Sequence, residues 1–128
     1  MSKKKIDQEK EIVKIMHFLF NLSKEIRYIA IYYNGSLELS SRPELKAASS
    51  SESDKYEEII VNPTLLTLLK QRGEIDCGGV EYVIVRYGNF FQFIYPVSGG
   101  HVSIAFETKC NYEKLLPKIQ KILKSNLI

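Results

Sequence analysis

The chain reads as an α+β domain, and three observations carry that reading. Val80–Tyr87, Phe90–Val97 and His101–Thr108 are runs rich in β-branched and aromatic residues, separated by the short turns Gly88-Asn89 and Ser98-Gly99-Gly100; such spacing suits an antiparallel meander. Two further runs, Arg27–Tyr33 and Ser36–Ser41, flank Asn34-Gly35, a dipeptide that accepts the positive φ of a two-residue hairpin. Apolar residues at helical spacing fill the segments before, between and after these strands. The expected order is helix, two strands, helix, three strands, helix.

The first helix is expected over Ile6–Ile26, on Ile12, Ile15, Met16, Leu19, Leu22 and Ile26, with Asp7 as its cap. Val13, Phe18 and Phe20 widen its apolar arc, which implies more than one neighbour. Residues 1–5, with Lys3-Lys4-Lys5, read as a flexible tail. In the first strand Ile29, Ile31 and Tyr33 share one face and Tyr28, Ala30 and Tyr32 the other, as expected of a strand covered on both sides. The second strand alternates more, like one nearer an edge. Residues 42–53, with Pro43 and a serine-rich run, read as a flexible loop.

Asp54 and Glu57 resemble a capping box, with Tyr56, Ile59 and Ile60 as the apolar face of the helix they open. Asn62-Pro63 reads as the cap and first position of a fresh helix running to Arg72, with Gly73 as its stop. Leu65, Leu66, Leu68 and Leu69 make that helix apolar nearly all round, more than one sheet-facing side needs, which points to a partner. The last helix follows Asn111 to about Ser125 on Leu115, Leu116, Ile119, Ile122 and Leu123. Pro117 predicts a kink, or a start delayed toward Leu116.

A length of 128 residues fits one domain over 1–128. No stretch approaches the ~20 apolar residues of a membrane span, and no apolar run follows the charged start as in a signal peptide; a cytoplasmic location without membrane insertion is expected. Net charge +3 is mild, and the lysines read as interleaved with acids, so no nucleic-acid partner is expected. Cys77, Cys110 and the isolated His17 lack metal-ligand spacing, and no cofactor is indicated. Asp76-Cys77-Gly78-Gly79 lacks the phosphate-loop pattern and precedes a strand instead of opening a helix. Ser98-Gly99-Gly100-His101 reads as a turn with no acid indicated beside the histidine. No converging nucleophile, base and oxyanion donor emerges, so the expected function is non-enzymatic.

With the Asn34-Gly35 hairpin, the run Val80-Glu-Tyr-Val-Ile-Val-Arg-Tyr-Gly-Asn, Phe93-Ile-Tyr-Pro-Val-Ser-Gly-Gly, Val102-Ser-Ile-Ala-Phe and Asn111-Tyr-Glu-Lys-Leu-Leu in this order, the sequence resembles the Roadblock/LC7 family over roughly residues 6–126. The resemblance implies a profilin-like three-layer α/β/α sandwich with a five-stranded antiparallel sheet in the order 2-1-5-4-3. The first and last helices would lie on one face and the middle helix on the other. It also implies a homodimer paired through strand 3 with the middle helices beside the seam, acting as a scaffold or regulator of a small Ras-like GTPase, with no catalytic residue. The loop at 44–53 is longer than the family's core needs, and Pro117 departs from its smooth last helix.

In that order Val80–Tyr87 is an edge, and an apolar edge invites pairing. The expected dimer interface comprises Leu65, Leu66, Leu69, Glu81, Tyr82, Val83, Ile84, Val85 and Arg86, with Glu81 near the partner's Arg86 contributing about 0–1 kcal/mol. The competing expectation is a small-molecule sensor of the PAS, GAF or profilin-like kind. Its pocket would be lined by Tyr28, Tyr32, Tyr33, Phe91, Phe93 and Tyr95 and would hold roughly 300 Å³ or more.

Overall fold

β1 (Ile26–Tyr33) turns through Asn34 and Gly35, at φ 51° and 82°, into β2 (Ser36–Ser41); positive φ at both turn residues is what the Asn-Gly signal requires. The computed structural model describes residues 3–42 and 51–126. Before β1 stands α1 (Lys3–Phe20). After β2 come α2 (Ser51–Tyr56), a π-helical turn (Glu57–Val61) and α3 (Asn62–Asp76), which together form one middle helix. Then follow β3 (Val83–Arg86), β4 (Phe91–Val97), β5 (Gly100–Phe106) and α4 (Tyr112–Asn126). The fold is α+β, with one five-stranded antiparallel sheet in the order β2-β1-β5-β4-β3.

Alternation along the strands gives the sheet two unlike faces. Ile29, Ile31, Phe93, Val102, Ile104 and Phe106 meet Ile12, Ile15, Met16 and Leu19 of α1 and Leu116, Ile119 and Leu123 of α4 in the main core. Side chains buried this way contribute roughly 1.5–3 kcal/mol each. The opposite face carries Tyr28, Ala30 and Ala105 with Gln92, His101 and Ser103, all buried under the middle helix. No helix among the described residues is long and apolar enough to cross a membrane.

Several boundaries differ from the sequence reading. The expected tail is already helical at Lys3, so Asp7 lies inside α1 and not at its cap. The helix stops at Phe20 because Leu22 and Ile26 are used elsewhere: Leu22 packs on the core after the turn, and Ile26 opens β1. Val13 and Phe18 are exposed, so the apolar arc of α1 is narrower than expected. Arg42, the residue after β2, is anchored: its guanidinium donates to the carbonyls of Phe20, Ser23 and Ile26 at 3.0, 2.9 and 2.9 Å and lies over the Phe20 ring. Of the expected loop, 43–50 lies outside the described residues, and Ser51 already begins α2.

The middle helix runs past Gly73 to Asp76, and Gly73 packs against Gly79 and Val80. Its stop comes at Cys77, followed by Gly78 and Gly79 at φ 79° and 87°. β3 spans only Val83–Arg86 of the expected Val80–Tyr87. Pro96, which would oppose Glu81 if the register continued, has no N–H for the ladder. The β3–β4 turn closes through Tyr87 N–H donating to the Phe90 carbonyl, without positive φ at Gly88 or Asn89. Pro117 sits within α4, which begins at Tyr112 with no delay.

Candidate functional site

Pro63 has no N–H to return to the preceding turn, and its ring crowds that turn. The helix accommodates it by widening: Asn62 N–H bonds to the Glu57 carbonyl, five residues back, the signature of a π-turn. Asn62 keeps helical dihedrals, φ −65° and ψ −44°, and its side-chain oxygen accepts no capping bond, so the expected break with a fresh cap is absent. Glu58, Asn62, Leu66 and Gly73 become the buried stripe of the middle helix. Tyr56, Ile59 and Ile60, expected to face the sheet, are 61%, 48% and 49% exposed. Around the π-turn the helix is polar inside and apolar outside.

The inward residues close on a polar cluster. Glu58 Oε2 accepts from Tyr28 Oη at 2.6 Å and Ser103 Oγ at 3.0 Å. Glu58 Oε1 accepts from His101 Nε2 at 2.8 Å and Asn62 Nδ2 at 3.0 Å. Ser103 Oγ in turn accepts from Gln92 Nε2 at 2.5 Å and Asn62 Nδ2 at 3.1 Å, and Tyr32 stacks on the His101 ring. None of Tyr28, Glu58, Asn62, Gln92, His101 or Ser103 is more than 4% exposed. Asn62 Oδ1 is buried without a partner. Burial and then the Glu58 charge drive the Tyr28 hydroxyl far above its ordinary range, so it stays a donor. At the rim, burial raises the Glu57 carboxyl, partly offset by the Tyr87 hydroxyl donating to it at 3.2 Å.

The sequence reading placed no acid beside His101; Glu58 is that acid, 43 residues away. The constellation nonetheless differs from a nucleophilic triad. The Ser103 hydroxyl donates its hydrogen bond to the Glu58 carboxylate, with no bond to His101 among those the structure shows, whereas in a triad the serine donates to the histidine that activates it. What the arrangement does is saturate one carboxylate with four directional donors and fix how the middle helix sits on the sheet. The sequence signal for it was polar spacing: Glu58 and Asn62 four apart, and His101 and Ser103 alternating with Val102 and Ile104.

The outward side carries the residues expected at an interface. Val83, Ile84 and Val85 are half-buried in β3, which among the described residues has a neighbour on one side only; Arg86, Glu81 and Tyr82 are exposed. Leu65 is half-buried and Leu69 is 36% exposed, whereas Leu66, at 4%, belongs to the chain's own interior. Leu68 and Ile75, at 61% and 75% exposed, join Tyr56, Ile59 and Ile60 as the exposed apolar residues of the middle helix. The middle helix meets the segments that flank β3: Tyr87 donates to Glu57 on one side, and Gly73 lies against Val80 on the other.

Two grooves adjoin the same edge. One, of about 450 Å³, lies between β3 and α4 and is lined by Tyr82, Ile84, Tyr112 and Leu116 among others. The other, about 310 Å³, lies between Lys70 and Glu74 of α3 and the Pro96–Ser98 corner. Neither is lined by the aromatics expected of a sensor pocket. Tyr33, Phe91, Phe93 and Tyr95 pack into the main core, and Tyr28 and Tyr32 belong to the polar cluster. Among the described residues no group of His, Cys, Asp or Glu is arranged to hold a metal; His17 is exposed, and both cysteines are free thiols. No protein-family model matches the chain, and no curated protein matches it.

Proposed function

We propose that this chain is a non-enzymatic interaction module that pairs with a second copy of itself through β3 and the outward face of the middle helix. The observation that carries the reading is the inverted helix: it buries Glu58 and Asn62 while exposing Tyr56, Ile59, Ile60 and Leu68, beside a strand whose ladder is unfinished. An apolar edge next to an apolar helix face is a joining surface. A two-fold axis completes both ladders with one contact.

The pairing has a constrained register. Under a two-fold axis perpendicular to the sheet, directly opposed residues share a face, so their numbers differ by an even count. Tyr82 can therefore oppose Arg86 of a second copy, and Ile84 can oppose Ile84. Glu81 cannot oppose Arg86 in a regular ladder; it lies two residues before β3, and Tyr82 one residue before it. The pair anticipated from sequence is replaced in this proposal by Tyr82 with Arg86.

Light scattering on the eluting protein tests the assembly: the expected mass is twice the 14.7 kDa of one chain. Ile60→Glu with Leu68→Glu, both at exposed positions, should give a folded monomer. A folded wild-type monomer at micromolar concentration overturns the proposal. A small Ras-like GTPase as client is the further reading, supported by the Roadblock/LC7 resemblance together with the sheet order; failure of the dimer to retain any such GTPase in either nucleotide state removes it. The sensor reading keeps one favourable observation, the 450 Å³ groove beside α4. Saturable binding of a small molecule there, lost in Leu116→Trp, would favour it.

A further inference from the structure

Charge is sorted by layer in this fold. The middle helix carries Glu52, Asp54, Glu57, Glu58, Glu74 and Asp76 against Lys55, Lys70 and Arg72. On the other side of the sheet, α4 carries Lys114, Lys118, Lys121 and Lys124 against Glu113 alone. The α4 lysines are all exposed, while Leu116, Ile119 and Leu123 are buried. Spacings of four and three put Lys114, Lys118 and Lys121 on one stripe pointing away from the core. None of the four makes an ion pair among the described residues. The sequence reading took the lysines as interleaved with acids; along α4 they are a stripe.

We infer that the α1/α4 layer docks on an anionic lipid surface. α1 packs beside α4. On it the exposed Lys10 and Lys14 are offset by the exposed Asp7 and Glu11, so among the side chains described on the two helices the excess positive charge belongs to α4. α1 adds Phe18, 39% exposed, with the Lys14 ammonium 5.8 Å from its ring centre. Four lysines on the outer side of an amphipathic helix, with an exposed aromatic on the adjoining helix, match the chemistry of a negatively charged headgroup layer. A planar two-helix layer suits a planar partner. A nucleic acid fits less well, because the stripe includes no arginine fork and the layer offers no aromatic platform between basic walls. The inference does not depend on self-association, although a two-fold axis perpendicular to the sheet would put both copies' lysine stripes on the same side.

Co-sedimentation of the intact chain with phosphatidylcholine vesicles, with and without about a third phosphatidylserine, tests this. Binding is expected only to the anionic vesicles and should fade as salt rises to about 0.5 M. Lys118→Ala with Lys121→Ala should lower the partition coefficient about thirty-fold, from the usual gain per lysine at such a surface. Phe18→Ser should lower it less, and Lys55→Ala with Lys70→Ala, on the opposite layer, should leave it unchanged. Equal binding to neutral vesicles, indifference to the α4 substitutions or equal loss in the opposite-layer variant overturns the inference. So does retention by single-stranded RNA without any vesicle binding.

Discussion

Removing the Glu58 carboxylate is the sharpest perturbation the structure offers. In Glu58→Ala, Tyr28 Oη, Ser103 Oγ, Asn62 Nδ2 and His101 Nε2 lose a common acceptor at sites no more than 4% exposed. A buried donor without an acceptor costs about 1–3 kcal/mol. Some donors have a fallback: Ser103 and Asn62 remain bonded to each other, and Ser103 to Gln92. The expected loss is therefore about 4 kcal/mol, a large part of the roughly 5–15 kcal/mol that holds an ordinary domain. Urea unfolding followed by circular dichroism should show the midpoint falling by about 2 M, for a slope near 2 kcal/mol per M.

Glu58→Gln separates the acceptor from the cavity. Its amide oxygen can take the Oε2 position and go on accepting from Tyr28 and Ser103. Its amide nitrogen, at the Oε1 position, can donate to Asn62 once that amide is turned to present its unpartnered oxygen. The turned Asn62 amide gives up its bond to Ser103, so the cost should be about 1–2 kcal/mol. Glu58→Ala within about 1 kcal/mol of wild type, or Gln no better than Ala, would refute the reasoning, because the cluster would then not be what seats the helix.

Gly100→Ala should cost about 2 kcal/mol or more, since its Cβ would strike the Tyr32 backbone carbonyl; Gly88→Ala meets nothing within 4 Å and serves as the neutral comparison in thermal melts. Burial raises the folded-state Glu57 carboxyl above its ordinary 4.5, so its contribution is complete below that value and is lost as pH rises through the raised one. Stability of wild type relative to Glu57→Gln should accordingly fall with pH across that window, measured by denaturant titration; a flat difference would contradict it. Cys77 is exposed, whereas Cys110 is buried with its thiol raised by that burial. An aromatic disulfide reagent should therefore titrate one thiol quickly and the second only on unfolding, and two fast thiols would refute that placement.

The strands were legible because their signals are local. Asn34-Gly35 sets the first hairpin without help from the rest of the chain, and the alternation in β1 announced a strand covered on both sides. The middle helix was misread because its orientation is not a local property. By hydrophobicity Ile59 and Ile60 should face inward, and only the partners Tyr28, His101 and Ser103, on two distant strands, reverse that choice. Pro63 misled in a related way: it does perturb the helix, but the chain absorbs it by widening one turn instead of stopping. Gly73 looked like a stop, and its want of a side chain instead permits close packing against Gly79 and Val80.

The buried cluster and the exposed apolar face are two consequences of one orientation. A helix with apolar residues on most sides has little reason, on burial alone, to prefer one rotation over another, since turning Ile59 or Ile60 inward would gain roughly 1.5–3 kcal/mol each. Four directional bonds to one carboxylate are lost by any such rotation, and leaving their buried donors unpaired costs more than the apolar gain. The polar cluster thus holds the apolar residues outward, where a second copy can reach them. Loss of Glu58 should then weaken self-association as well as stability, although Glu58 itself is inaccessible to a partner. A folded Glu58→Ala protein that dimerises at wild-type concentration would show that the outward face is maintained by something other than this carboxylate.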